Sequence, residues 1–173
     1  MEPSTPMASS VSVAYLQGLV DHLARQGIEP AELLAHVQLT PAILGQRDQR
    51  IAASAYLELL AQGIRLTGDT RLGLHLGEAV RPGYYGVLGY LLMSCATLAD
   101  ALHRQARYAA LVGNLGRVDL ADEPERPGHE PLVVHSWEPL LPQQREQVAE
   151  ESLAGWVTFG RWISGLDIPP TEV

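Results

Sequence analysis

The stretch Arg65–Leu111 constrains the fold of this chain more than any other segment. It reads RLTGDTRLGLHLGEAVRPGYYGVLGYLLMSCATLADALHRQARYAAL. Its glycines fall where helices end or approach one another, its capping residues fall where helices begin, and its apolar residues recur at helical spacing. It contains no paired carboxylates, metal-ligand cluster, nucleophile with a base, or phosphate-binding loop. The segment therefore predicts a helical scaffold and gives no indication of a reaction centre.

The same helical periodicity occupies the residues before this stretch. Apolar residues from Val11 to Gln26 recur at steps of three and four, and Gly27 is expected to end that helix. The prolines in PAELLAHV and TPAILG indicate two short helices, each needing packing to be stable. The run IAASAYLELLAQGIRLTG predicts a longer helix that starts at Ile51 and is closed by Gly68.

A further helix is expected immediately after that glycine. Asp69 or Thr70 is expected to cap it, and its pattern continues to about Val80. Gly73 and Gly77 lie four residues apart within it, although glycine costs about 1 kcal/mol in a helix relative to alanine. Their spacing favours close approach of another element, because no strand precedes them as a phosphate-binding loop would require.

Two more helices are predicted between residues 86 and 112. An almost wholly apolar run from about Gly86 to Ser94 is expected to form a buried helix, and Thr97 is expected to cap the next one. Cys95 is the one cysteine of the chain, which excludes an internal disulfide, fits a reducing compartment and is typical of a small buried core residue. The core positions expected in the second helix are Leu98, Ala101, Leu102, Tyr108 and Leu111.

The pattern changes after Gly113. GRVDLA and PLVVHSW alternate like strands on either side of the polar segment DEPERPGHE, which predicts an antiparallel hairpin that must pack on the helices. Pro142 is expected to open a long helix that Gly165 ends. The residues expected along one side of that helix are Val148, Ser152, Gly155, Phe159 and Trp162.

Together these patterns predict an α+β fold. Its helix-rich N-terminal two-thirds is expected to pack with the small antiparallel hairpin and the long C-terminal helix. The Ser-, Thr- and Pro-rich start predicts a disordered lead-in over residues 1–10, because such residues bury little surface. With 46% hydrophobic residues, residues 11–173 are long enough to form one domain with its own core.

Charge and composition narrow the classes of partner. The net charge is −8, and the twelve basic residues are all arginines scattered along the sequence. We therefore expect this segment to bind DNA poorly. No apolar run is long enough to span a bilayer, and the N-terminus lacks the basic and apolar parts of a secretory signal. We therefore expect a cytoplasmic protein with no membrane partner.

The residues that carry enzyme chemistry form no recognisable set. The six histidines do not group with one another or with the cysteine at ligand spacing, so we predict no metal site and no cofactor. No G-x-S-x-G signature occurs, and we predict no catalytic residues and no enzyme activity. Glu146, Glu150 and Glu151 read as a solvated acidic face of the last helix.

Aromatic residues are the better candidates for a site, because most of them come after residue 83. They either fill the core between hairpin and helices or line a ligand pocket in which polar groups fix the orientation of a ligand. The sequence leaves both interpretations open. The candidate ligand-binding residues are Arg81, Tyr84, Tyr85, Tyr108, His135, Trp137, Trp156 and Phe159.

The blocks LTGD, RPG-x-x-G-x-LGY and TL-x-x-AL occur in order between Leu66 and Leu102. In this order the chain resembles the N-terminal regulatory domain of AraC-type transcription regulators. The particular branch carries an arabinose-binding-like domain and is related to the ornithine-utilisation regulator. The resemblance begins near Val11, is densest from Arg50 to Leu111, and extends to the helix ending at Gly165.

The resemblance implies a domain that senses a small-molecule effector and forms a homodimer. It also implies that DNA is bound by a C-terminal domain with two helix-turn-helix motifs, which this chain lacks, so we expect a truncated piece of a longer regulator. The sugar in the family label does not identify the effector. The alternatives are a ligand-independent dimerisation module and, in third place, a small hydrolase.

Overall fold

The computed structural model describes residues 9–123, 132–139, 144–167 and 169, and for 119–123 and 132–139 it describes the backbone. The predicted α+β class is confirmed: helices dominate, and a two-stranded antiparallel hairpin precedes a long last helix. Residues 1–8 of the predicted lead-in and most of the polar hairpin loop lie outside the described residues. The assignment of residues 11–173 to one domain stays a prediction.

The described residues form seven α-helices and four short strands. The helices are α1 Val13–Arg25, α2 Pro30–Ala35, α3 Ala53–Thr67, α4 Leu72–Glu78, α5 Val87–Met93, α6 Leu98–Tyr108 and α7 Arg145–Ser164. The strands are β1 Ser10–Ser12, β2 Arg50–Ala52, β3 Gly116–Glu123 and β4 Leu132–Pro139. Three single-turn 3₁₀ segments lie at Pro41–Gly45, Pro82–Tyr85 and Ala109–Leu111.

Two strands replace the predicted starts of α1 and α3. Val11 and Ile51 were expected in helices, but they pair with each other across the antiparallel strands β1 and β2. Ser12 then caps α1, because its Oγ accepts a hydrogen bond from the backbone N–H of Tyr15 at 3.2 Å. The helical spacing led to a wrong assignment of these two residues. A buried residue of a strand that directly precedes a helix lies on the same apolar face as the buried residues of that helix.

The larger core lies between α1, α2 and α3. The predicted helix ends are confirmed, since Gly27 and Gly68 adopt left-handed φ values of 87° and 71°, which favour glycine. The leucines that face each other from α1 and α3 are almost completely removed from solvent. They are Leu16, Leu19, Leu23, Leu59 and Leu60.

Helix α4 begins later than its sequence indicates. Neither Asp69 nor Thr70 caps it, and it starts at Leu72 and ends at Glu78. The cap comes from α7 instead, where the Gln147 Oε1 accepts a hydrogen bond from the Gly73 N–H at 2.9 Å. The amide of Gln147 also donates to the Thr70 carbonyl at 2.9 Å.

The glycines of α4 lie against the backbone of α7. A Cβ atom at Gly73 would collide with the Gln147 carbonyl, and one at Gly77 would lie 2.6 Å from the Glu151 carbonyl oxygen. The predicted close approach of another element is therefore confirmed. These glycines let two helix backbones meet without intervening side chains.

Helix α5 is not buried all round as its composition led us to expect. Leu88 and Leu92 are buried, but Val87 is 70% exposed and Tyr90 is 64% exposed. The expectation failed because apolar content does not determine which sides a short helix presents to the core. Cys95, just beyond α5, is half-buried and packs against the second apolar cluster.

The prediction for the start of α6 is confirmed and that for its core positions is partly wrong. The Thr97 Oγ1 accepts a hydrogen bond from the Asp100 N–H at 3.1 Å. Ala101 is buried, whereas Tyr108 and Leu111 are exposed. The apolar face therefore ends before the last turn of the helix.

The predicted hairpin is confirmed, with Val118 opposite Trp137 and Leu120 opposite His135 in the antiparallel register. The long helix begins at Arg145 and not at Pro142, which lies outside the described residues, because Gln144 has a left-handed φ of 51°.

The end of the long helix agrees with its sequence, since Gly165 adopts the expected left-handed conformation. Val148, Gly155 and Phe159 are buried on one side, as predicted. Trp162 was expected there too, but it is 54% exposed.

Candidate functional site

A cavity of about 90 Å³ lies between α5, α6, α7 and the beginning of β3. Leucines from two helices form much of its wall, namely Leu88 and Leu92 from α5 and Leu98 and Leu102 from α6. Val118 of β3 and Ile163 of α7 also contribute apolar side chains to the lining. Concave, mainly apolar sites with few polar groups are typical of small-molecule binding.

Three of the predicted ligand-binding residues line this cavity: Tyr85, Trp156 and Phe159. Tyr85 follows α4 in the chain and the other two lie on α7, so the fold brings together rings that are about 70 positions apart. The rings of Tyr85 and Phe159 meet edge to face, with 5.2 Å between centroids and 80° between planes. This geometry holds the aromatic wall in one arrangement.

The other predicted residues do not join them in the described structure. Tyr84 lies on the opposite side of its 3₁₀ segment, where its hydroxyl donates a hydrogen bond to the Asp21 Oδ2 at 2.9 Å. Arg81 and Tyr108 are exposed and lie outside the cavity lining. The side chains of His135 and Trp137 lie outside the described residues, so their proposed role stays a prediction.

Polar residues of the cavity wall were missed at the sequence level. Gln105 on α6 lines the cavity, and its Oε1 is buried with no hydrogen-bond partner among the described residues. A signal existed, because Gln105 follows the buried Ala101 by four residues and so shares its helix face. Tyr15 of α1 also lines the cavity, but no local pattern could connect it to residues so far along the chain.

Glu151 was expected on a solvated face and is instead buried, with 7% of its surface exposed. The Tyr56 hydroxyl donates a hydrogen bond to the Glu151 Oε1 at 2.6 Å. The Oε2 is buried and has no hydrogen-bond partner among the described residues. The position could have been found from spacing, since Glu151 lies three residues after Val148 and four before Gly155 on the buried side of α7.

Burial changes the acidity of this group and of its neighbours. It raises the pKa of Glu151 to about 7, although the hydroxyls of Tyr56 and Tyr15 oppose that rise. Burial first, and the nearby carboxylate second, also raise the pKa values of Tyr15, Tyr56 and Tyr85. The three tyrosines are therefore uncharged hydroxyl groups around one titratable carboxyl.

These rings separate Glu151 from the cavity. Tyr15 and Tyr85 line the cavity and are stacked with 6.3 Å between ring centroids. Tyr15 also meets Tyr56 at 5.4 Å between centroids, so the ring contacts continue from the cavity wall to the residue that binds Glu151.

Other kinds of site find no support in the part of the chain that the structure describes. It contains no group of three or more His, Cys, Asp or Glu side chains placed to hold a metal ion. Within the same residues, no helix combines the length and apolar character needed to cross a bilayer.

The sequence is similar to those of known transcription regulators. Residues 27–173 match the family model described as the arabinose-binding domain of AraC transcription regulators, N-terminal. The ornithine utilization regulator of Pseudomonas aeruginosa is 29% identical over 112 residues, which are 65% of this chain and 33% of that protein. Uncharacterized HTH-type transcriptional regulators of Mycobacterium bovis and Mycobacterium tuberculosis are each 33% identical over 90 residues, which are 50% of this chain and 25% of each relative. The chain thus spans a third or less of the length of these relatives, all of which are named as regulators.

Proposed function

The chain belongs to the family of N-terminal arabinose-binding domains of AraC transcription regulators, and from that premise we propose that it senses a small-molecule effector. The observation that supports this role is the cavity of about 90 Å³ walled by Tyr85, Trp156 and Phe159. A domain that served only as a spacer would have no need to leave such a space beside ordered aromatic rings, since protein interiors are normally close-packed.

The proposed mechanism is a shift between two arrangements of the domain. An effector that binds one arrangement more tightly increases its population, whereas an effector that binds both equally changes nothing. Bound between α5, α6 and α7, it would alter how these helices meet. DNA binding would come from a C-terminal domain of the full regulator, which would act in the cytoplasm, and the proposed role is not catalytic and needs no cofactor.

A thermal-shift screen with a cavity-filling variant tests this proposal. The panel contains amino acids, polyamines, sugars, fatty acids and small neutral rings, and at least one class is expected to raise the melting temperature. Gly160 lines the cavity within α7, and its nearest neighbour to an added Cβ is Leu98 at 3.7 Å. Gly160→Leu should fill the cavity and abolish the shift, whereas Gly160→Ala should fold and respond like the parent.

Two outcomes would contradict the proposal. A shift that persists in Gly160→Leu means that the compound binds outside the cavity. If no compound raises the melting temperature of the parent chain, the aromatic rings are plain core and effector sensing loses its support.

The alternative function is ligand-independent dimerisation, and the exposed side of α5 favours it. Val87, Tyr90 and Met93 follow one another at three-residue steps and are all exposed, and exposed apolar patches often mark protein interfaces. Sedimentation velocity at micromolar concentration distinguishes the two roles. A dimer that Tyr90→Ser dissociates, in a chain that binds no compound, supports this alternative; a monomer excludes it at that concentration.

A further inference from the structure

The volume of the cavity between α5, α6 and α7 limits what can enter it. About 90 Å³ corresponds to roughly three water molecules at ~30 Å³ each, and a methylene group is about as large as a water molecule. A cavity that holds a benzene ring measures about 150 Å³. The space therefore accommodates a chain of about three or four carbon atoms more readily than a ring.

The wall of the cavity suits an alkyl chain. Leu88, Leu92 and Phe159 of this wall are almost completely buried, whereas Leu98 and Leu102 keep part of their surface in solvent. A chain that lies against such side chains loses its contact with water, and each methylene group removed from water strengthens binding by about fourfold. The chain gains most where its end reaches the buried side chains.

The cavity is not sealed from solvent, so a ligand longer than its depth can extend out of it. No Asp, Glu, Lys, Arg or His side chain lines it among the described residues. A charged group drawn fully inside would lose its hydration without gaining a counter-charge, whereas a charged group in the opening stays hydrated. We therefore expect the polar end of a ligand in the opening, where its charge has little effect on affinity.

We propose that the cavity binds the terminal alkyl segment of an amphiphilic effector. The chain end lies against Leu88, Leu92 and Phe159, and the polar head group stays in the opening. This proposal rests on the effector-sensing role proposed above. It defines the class of ligand by its alkyl end and is compatible with a neutral, anionic or cationic head group.

A series of n-alkyl compounds tests the dependence on chain length. Dissociation constants of the ethyl to hexyl alcohols, and of carboxylates with the same alkyl groups, are measured by NMR titration of the parent chain. Salt at about 0.15 M screens the net charge of the protein. Each added methylene should strengthen binding about fourfold until about four carbons are inside, and further carbons should add less than about twofold. Alcohol and carboxylate of equal length should agree within about threefold, because the head group stays in water.

Norvaline and ornithine provide a matched pair of amino acids. Their chains differ only in that norvaline ends in a methyl group and ornithine ends in an ammonium group. Norvaline should bind in the cavity and ornithine should not, because the ammonium group would have to leave water to reach the buried side chains. The pair is informative because a relative of this chain is named the ornithine utilization regulator.

Intermolecular nuclear Overhauser effects give a readout that needs no variant. The terminal methyl group of pentanol should show effects to the ring protons of Phe159 and to the methyl groups of Leu88 and Leu92. The methylene group beside the hydroxyl should show none to these side chains. The opposite pattern would mean that the head group enters first.

Three variants connect the chain-length series to the cavity. Leu92→Ala removes an isopropyl group from the inner wall, so pentyl and hexyl compounds should gain affinity relative to butyl compounds. Leu153→Ala is the matched control, because Leu153 is exposed on α7 and lies outside the cavity wall, and it should leave the series unchanged. Gly160→Leu should abolish binding of the whole series.

Each contrary result has a distinct meaning. Binding that is independent of chain length, or that places the head group against Phe159, overturns the proposal while the cavity remains a binding site. Benzyl alcohol that binds more tightly than pentanol, in a manner that Gly160→Leu abolishes, overturns the alkyl class. Failure of every probe and every screened compound to bind the parent chain removes the proposed function, and this inference with it.

Discussion

The two apolar cores of this molecule differ in how completely they are filled. In the core of α1 and α3, leucines such as Leu16, Leu59 and Leu60 have essentially no exposed surface. The core of α5, α6 and the second half of α7 consists of Leu88, Leu92, Ala101 and Phe159 among the described buried residues, and it borders the cavity. The leucines of the first core are sealed from solvent, whereas the second core leaves a cavity beside its side chains. Under the proposed function, the first core supplies stability and the second supplies the binding site.

The largest expected effect comes from truncating a leucine of the first core, and the same change in the second core provides the comparison. Leu60→Ala should lower the free energy of unfolding by about 4 kcal/mol, because a close-packed site cannot collapse around the lost atoms. Leu92→Ala should cost about 2 kcal/mol, because one side of Leu92 already faces the cavity. Urea unfolding followed by circular dichroism measures both. Equal losses would mean that the second core is packed as tightly as the first.

A smaller effect is expected at Glu151, which lies where the two cores meet. Its pKa is raised in the folded chain to about 7, from 4.5 for an unburied carboxyl. Folding therefore favours the protonated form, so its stabilising contribution is complete below about pH 4.5 and is lost as pH rises through 7. The loss between pH 4 and pH 8 should be on the order of 3 kcal/mol.

Denaturant unfolding across that pH range checks this effect of Glu151. Glu151→Gln should remove this loss of stability, because the amide stays neutral and its oxygen can still accept a hydrogen bond from the Tyr56 hydroxyl. Glu146→Gln, at an exposed position of the first turn of α7, should retain it. A Glu151→Gln chain whose pH dependence equals that of the parent chain would show that Glu151 titrates normally.

The smallest effect concerns the contact that joins the two cores. Gly73→Ala should cost about 2 kcal/mol, since the new methyl group meets the α7 backbone and overpacking outweighs the roughly 1 kcal/mol gained in helix propensity. Gly45→Ala is the matched control, because a Cβ there meets nothing within 4 Å. Thermal unfolding compares the two, and a Gly73→Ala chain as stable as the parent would mean that α4 and α7 separate easily.

Local signals in the sequence were sufficient for the scaffold. Glycines at helix ends, the Thr97 cap and the glycine pair of α4 all act through near neighbours or through backbone sterics, and the structure agrees with each of them. Strands β1 and β2 were not predictable, because three residues carry no pattern and their pairing joins positions 40 residues apart.

The candidate site was only partly predictable for a related reason. Tyr84 and Tyr85 are adjacent and chemically alike, but one contacts Asp21 and the other lines the cavity, and this depends on the turn of a 3₁₀ segment. Glu151 was wrongly predicted to lie on a solvated face, because its charge was given more weight than its position on the buried side of α7. The aromatic residues can be read from the sequence, but tertiary packing determines which of their rings are in contact.

The close contact of α4 and α7 has a mechanical consequence. Helix α7 is a rod of 20 residues, about 30 Å long at 1.5 Å per residue. Gly73 and Gly77 fix its first half, and Phe159 and Ile163 of its second half face the cavity. A ligand that displaces Phe159 is therefore expected to rotate α7 about its contact with the two glycines, with the largest displacement at Ser164. A compact molecule at the cavity wall could in this way produce a much larger displacement at the end of the helix.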